Sequence, residues 1–168
     1  ERGLHLESFQ KVLVSIVAKK IAMGITHIVI DIPTGKGTKV QNMDDAQLLK
    51  EQFIDLFKKV GIICEVYLRV AKGPDGNGIG PNMEMKETLK ILQRNDDRAM
   101  HLEDIATDMA GIVLEMSGKA PKGEGKGLAI TKLNSGDALK KFWEIAMTQG
   151  AANELKSDDI TLAPITFD

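Results

Sequence analysis

Apolar positions recur along this chain with two periods, and the switches between them mark its elements. Residues 8–23, SFQKVLVSIVAKKIAM, carry Val12, Ile16, Val17 and Ile21 at helical spacing, with Leu13 and Val14 widening the stripe. Ser8 can cap the start of this helix through its hydroxyl, and Gly24 can close its end. The β-branched run THIVIDI, 26–32, then predicts a short buried strand, ended by Pro33 and Gly35. Asp44 opens a second helix, DDAQLLKEQFIDLFKKV, with acids at its start and Lys58 and Lys59 at its end, a polarity that complements the helix dipole. Gly61 stops it, and IICEVYLRV predicts a second strand. Strand, helix and strand of these lengths make a βαβ unit, parallel and right-handed.

Beyond it, AKGPDGNGIGP (71–81) reads as a glycine-rich loop. Helical periodicity returns at about 83–94, 101–118 and 136–150. The intervening GKAPKGEGKG reads as a mobile surface loop. Phe142 and Trp143 fall in an apolar-patterned helix and are assigned to a core. His27 reads as a satisfied or edge histidine of its strand. Two strands are too few to complete an open parallel sheet, so further strands are expected from a longer polypeptide or a partner chain. The chain opens on ERGLHLES without an initiator methionine and closes on SDDITLAPITFD, which supports the same expectation.

Composition narrows the class. With 168 residues, 43% hydrophobic and 27% charged, the chain can bury a core of its own. A formal charge of -2 supplies no bulk attraction to nucleic acid or to an anionic membrane. No apolar run is long enough to span a bilayer and no signal peptide is visible, so a cytosolic location is expected. The single cysteine, Cys64, lies in an apolar run and reads as a buried small residue. His5, His27 and His101 show no metal-ligand spacing.

Candidate chemistry begins at DIPTGKGTKV, 31–40, directly after the first strand. It is not a triphosphate loop. That motif needs a glycine, four residues, and then Gly-Lys-Ser/Thr leading into a helix. Here Gly35-Lys36 is followed by Gly37, the position five before Gly35 is Ile30, and the next helix waits until Asp44. Two readings stay open: an ordinary turn, or a loop at the carboxyl end of a parallel strand, where ligands of α/β sheets bind. In the second, Lys36 and Lys39 add positive charge. On the first helix Glu7, Lys11, Ser15 and Lys19 recur every four residues and share one face. By periodicity alone that face is a solvated one with a Glu7–Lys11 pair.

The stretch SIVAKKIAMGITHIVIDIPTGKGTKV resembles the thymidine phosphorylase superfamily, and within it the branch of AMP phosphorylases and their thymidine phosphorylase relatives. Ser15, Lys19 and Lys20 fit its S-I-x-x-K-K helix. VIDIPTGKGTKV fits its strand and loop and departs from the K-x-G-x-G-A-F pattern of the pyrimidine nucleoside branch. GNGIGPNMEMKETLKIL fits its G-x-x-I/V-G-x-x-x-E segment, and LEDIATDMAGIVLEMSGKA the helix that follows. The resemblance implies a helix-rich α/β fold: residues 1–24 as one helix of a small helical domain, 25–162 as part of a βαβ-containing α/β domain, and 163–168 as the start of a linker to a further domain.

It also implies phosphorolysis of the N-glycosidic bond of an AMP-like nucleoside 5′-monophosphate, giving free base and ribose 1,5-bisphosphate. Inorganic phosphate is the co-substrate, and no other cofactor and no metal is expected. Ser15 and Lys19 are expected to bind substrate, Lys39 the nucleotide, and Glu7 stands where the AMP branch has an aspartate proposed as proton donor. The expected partners are nucleotide or nucleoside and phosphate, with neither nucleic acid nor membrane, in a homo-oligomer. The family's phosphate-binding K-H-S-x-G-G loop does not occur in this sequence, so the chain alone is expected to be inactive. A thymidine or pyrimidine nucleoside phosphorylase, and a non-catalytic relative or truncated piece, remain the alternatives.

Overall fold

The computed structural model describes residues 2–161, with side chains from residue 11 onward. The expected linker at 163–168 lies outside the described residues. Two compact units divide the chain: one runs to Lys72 and includes Met116–Lys119, and the other takes Gly73–Glu115 and the chain from Ala120.

The first unit holds α1 (Arg2–Ala22), β1 (His27–Thr34), α2 (Met43–Lys59) and β2 (Ile63–Val70). The strands pair in parallel, with His27 opposite Ile63 and Thr34 opposite Val70. The βαβ reading therefore holds for the strand direction and for the connecting helix. Asn42 rather than Asp44 starts α2, because its side-chain oxygen accepts from the Asp45 amide at 2.8 Å. At the other end the Ile62 amide reaches back to the Phe57 carbonyl at 3.0 Å and Gly61 turns the chain at φ +76°. Ile28, Ile32, Val66, Phe53 and Phe57 form the centre of the core, joined by Leu13 and Val17 of α1. The two phenylalanine rings stack with centroids 6.1 Å apart.

Helix α1 departs from expectation in two ways. It begins at Arg2, so Ser8 lies inside it and not at its start. Its buried side is Leu13 and Val17 with Ile16 beside them, while Val12 and Ile21 are 46% and 49% exposed. The apolar residues of this helix surround it almost completely, so the periodicity does not single out one face.

The second unit is helical among the described residues: α3 (Pro81–Leu92), α4 (Met100–Met116), α5 (Gly125–Asn134), α6 (Asp137–Thr148) and a short 3-10 turn at Ser157–Asp159. Trp143 is buried and meets half-buried Phe142 edge-on at 5.1 Å. The expected surface loop is present over 118–124, mostly exposed, but its last three residues, 125–127, are already the first turn of α5. Gly125 is buried against Gly111 of α4, so closely that a Cβ on Gly125 would stand 2.2 Å from the Gly111 carbonyl oxygen. The Glu115 carboxylate accepts from the Gly125 amide at 2.9 Å, and Lys126 reaches Asp104 and Asp108 at 2.6 and 2.8 Å. Gly125, read as part of a loop, is there because two helices touch backbone to backbone.

Helix α3 ends in a paired-bond turn: the Arg94 amide donates to Ile91 and the Asn95 amide to Lys90. Arg94 stands at φ +60°, where a glycine is usual, and is the one non-glycine residue with positive φ among the described residues. Its guanidinium lies 2.7 Å from the buried Glu103 carboxylate, out of line for a hydrogen bond, while Arg98 Nε donates to the same oxygen at 2.5 Å. Gln93 and Asn95 then fasten residues 155–157 to this turn: Gln93 donates to the Leu155 carbonyl and accepts from the Ser157 amide, and Asn95 donates to the Ser157 hydroxyl, each at 3.0 Å.

Candidate functional site

The carboxyl end of β1 is built to hold a turn in one shape. Thr34 is buried, and its hydroxyl donates to the Arg69 carbonyl at 3.1 Å. Its own carbonyl accepts from the Ala71 amide at 2.7 Å, which carries the strand pairing past the end of β2. Gly35 follows at φ +131°, and a Cβ there would sit 3.1 Å from the Ala71 carbonyl oxygen. The chain then doubles back. The Gly35 amide donates to Val40 and the Thr38 amide to Gly35, each at 3.2 Å. The Thr38 hydroxyl stands 2.8 Å from the Gly35 carbonyl and 2.6 Å from that of Val40, so its one proton serves either. Val40 is buried in the core and pins the far end.

This geometry has a chemical consequence. The Gly35 and Thr38 amides are spent inside the turn, which leaves the lysine side chains as its positive charge. Lys36 and Lys39 are both exposed at the tip, and neither has an ion-pair partner among the described residues. An exposed lysine on a fixed turn, at the carboxyl end of a parallel strand, suits a phosphate or another anion.

On α1, Lys11, Ser15 and Lys19 are exposed, opposite the buried Leu13 and Val17. The side chain of Glu7 lies outside the described residues, although its backbone belongs to the same helix. At a rise of about 1.5 Å per residue, Ser15 and Lys19 are roughly 6 Å apart along the axis, and Glu7 is roughly 12 Å from Ser15 and 18 Å from Lys19.

Beside the turn, Asp31 of β1 and Arg69 of β2 share the sheet face that alternates with the core side. Arg69 Nε donates to both Asp31 oxygens at 3.0 and 3.2 Å, and Nη2 to Oδ2 at 2.8 Å. The sequence reading missed this pair. Opposite charges at corresponding positions near the ends of two predicted parallel strands were the available signal. Cys64, half-buried on β2, has its thiol pushed up to about 11, first by burial and then by Glu65, which leaves it protonated and a poor nucleophile. His27 shares a 2.9 Å contact with the Thr26 hydroxyl.

In the second unit, the glycine loop 73–80 is tied down at three points. The Glu84 carboxylate accepts from the Gly80 amide at 3.2 Å, Asn77 Nδ2 stands 3.5 Å from Glu87, and Asp75 stands 3.8 Å from His101. Among the described residues no group of three or more histidine, cysteine, aspartate or glutamate side chains is placed to hold a metal ion, and no helix is long and apolar enough to cross a membrane.

No protein-family model matches the chain. Individual relatives do. An AMP phosphorylase from Pyrococcus horikoshii is 44% identical over 167 residues, 99% of this chain and 33% of the relative. One from Methanosarcina mazei is 39% identical over 168 residues, 100% of this chain and 33% of the relative. A Legionella pneumophila protein named "Putative thymidine phosphorylase" is 41% identical over 155 residues, 92% of this chain and 30% of the relative. The chain thus spans about a third of the length of the relatives it matches.

Proposed function

This chain is a homologue of the AMP and thymidine phosphorylases, and from that premise we propose that it forms the base-side wall of an enzyme that cleaves nucleoside 5′-monophosphates with inorganic phosphate. A phosphate oxygen bonds to the anomeric carbon, the bond from that carbon to the base nitrogen breaks, and its electron pair leaves with the base. The products are free base and ribose 1,5-bisphosphate. The observation that carries this reading is the 39–44% identity to proteins named AMP phosphorylase, sustained along nearly all of this chain.

In this reading Lys39 contacts the nucleotide, Ser15 contacts the substrate and Lys19 contacts the base. Glu7 donates the proton that the departing base takes up. A glutamic acid holds that proton near neutrality only where burial raises its pKa. The lysines steady negative charge as it develops on the base and on the phosphates. Residues 1–24 belong to a small helical domain and 25–162 to an α/β domain, in a cytosolic homo-oligomer. Phosphate is the one co-substrate, and its own binding loop is supplied from outside this sequence.

A second reading, a thymidine phosphorylase, is favoured by the 41% identity to the Legionella protein. Phosphate-dependent base release by the full-length protein from AMP, CMP, UMP and thymidine separates the two. Adenine release from AMP, lost in Glu7→Gln, supports the first. Release from thymidine alone supports the second. Release from none of the four makes a non-catalytic relative the better description.

A further inference from the structure

The turn after β1 holds its two lysines differently. Lys36 stands between Gly35 and Gly37, which take φ +131° and +89°. Backbone of that kind has many conformations to lose. Lys39 stands between Thr38 and Val40, and both of these are held. Val40 is buried in the core, bridges to Thr34, and accepts from the Gly35 amide at 3.2 Å. Thr38 is half-buried, and its amide donates to the Gly35 carbonyl at 3.2 Å. Its hydroxyl lies between two carbonyls, 2.8 Å from that of Gly35 and 2.6 Å from that of Val40.

The two backbone bonds that close the turn are therefore long, and the hydroxyl contacts to the same two carbonyls are the short ones. One of those carbonyls belongs to the residue that opens the turn, and the other to the residue just after Lys39. The hydroxyl thus ties the backbone of Lys39 to the end of β1. Without it the long backbone bonds remain, so the turn still closes, but for less of the time. Serine carries the same hydroxyl. Valine has the shape of threonine and no proton to donate.

We propose that Thr38 is a positioning residue for Lys39: its hydroxyl latches the 35–40 turn and so holds that lysine where the nucleotide meets it. This rests on the phosphorolysis reading for what Lys39 contacts, though not for the latch. A turn that is latched only part of the time lowers apparent affinity by the latched fraction and leaves the bound complex unchanged, so KM carries the effect and kcat does not.

The test uses the full-length protein with Thr38→Val and Thr38→Ser, alone and in Lys39→Ala and Lys36→Ala backgrounds. It measures hydrogen exchange of the amides of residues 35 and 38, together with KM and kcat for AMP at saturating phosphate. Thr38→Val is expected to speed exchange about fivefold and raise KM about threefold, with kcat held within about twofold. Thr38→Ser keeps the hydroxyl and is expected to stay within about twofold of the parent in both. In Lys39→Ala, adding Thr38→Val should still speed exchange but lower kcat/KM by less than about twofold further, because the lysine it positions is gone. In Lys36→Ala its effect on KM should persist. Unchanged exchange in Thr38→Val overturns the latch, and faster exchange with KM unmoved overturns its part in binding. A full effect on kcat/KM in Lys39→Ala, or its loss in Lys36→Ala, overturns Lys39 as the residue through which Thr38 acts. If the parent releases no base from any nucleotide, or Lys39→Ala costs nothing, the reading of Lys39 falls and the positioning role with it, while exchange still decides the latch.

Discussion

Arg69 holds Asp31 across the parallel strand pair with three contacts of 2.8–3.2 Å, and both side chains are largely buried, at 11% and 24% exposure. Asp31 lies three residues before Thr34 on β1, and Arg69 stands opposite Pro33, the residue before Thr34, at the end of the sheet where the Lys39 turn is built. Asp31→Ala leaves a largely buried guanidinium without this carboxylate and is expected to lower stability by about 1–3 kcal/mol. Asp31→Asn keeps one acceptor and is expected to lose less. Urea unfolding of the three proteins checks the order.

Two helix glycines in one region predict opposite outcomes. At Gly111 a Cβ would stand 2.5 Å from the Lys126 amide nitrogen, so Gly111→Ala must push α4 and α5 apart, at about 1–3 kcal/mol or more. Gly127, two residues past Gly125 on the exposed side of α5, has nothing within 4 Å of such an atom. Gly127→Ala is expected to stabilise by about 0.5–1 kcal/mol through helix propensity. Thermal unfolding midpoints should move in opposite directions.

Glu103 makes stability depend on acidity. Burial pushes its carboxyl up, but Arg94 and Arg98 together outweigh burial and hold it below the ordinary value of 4.5. A folded-state value below the unfolded one contributes stability that is present above about pH 4.5 and is lost as pH falls through the folded value. Stability is therefore expected to drop on acidification below that point. In Glu103→Gln the drop should be shallower, because the titrating group is gone. Denaturant unfolding at pH 7 and at about pH 3.5 measures the difference.

Lys39 is exposed and fastened to nothing else among the described residues, so its removal should leave the fold alone. Lys39→Ala in the full-length protein is expected to lower kcat/KM for AMP by about 10–100-fold, with an unfolding midpoint near that of the parent. Glu7 and Lys19, three turns apart on α1, should act independently: the losses from Glu7→Gln and Lys19→Ala should add to within about 0.5 kcal/mol of barrier. Strong non-additivity would mean that the two are coupled through the base on which both act.

The β1–α2–β2 unit was legible because its signals agree. β-branched runs, acids and lysines at the proper helix ends, and a glycine stop all point one way, and the helix and strands lie within a residue or two of their predicted bounds. α5 was not legible. Its start, GKG, carries the composition of a loop, and only the contact between Gly125 and Gly111, 14 residues apart, explains it. The orientation of α1 was misread because apolar side chains encircle the helix, so the choice of Leu13 and Val17 falls to the core they meet. For the site, sequence singled out the 33–39 turn, but not its mechanics. Thr38 and Thr34, small and unremarked in the sequence, close the turn through hydroxyl contacts that no periodicity encodes.

The contact of Gly35 with Ala71 sets a rule for anyone who would remodel this region. Because the Ala71 amide is bonded to Thr34 and the Ala71 carbonyl faces Gly35, the roots of the two segments leaving the sheet are joined. The tip at Lys36–Lys39 should accept a longer or shorter insert, provided that a Thr38 equivalent can still latch it. A single residue added at 34–35 or at 70–71 would instead shift both segments at once. The natural grafting points lie inside the turn, and the joint beneath it is best left untouched.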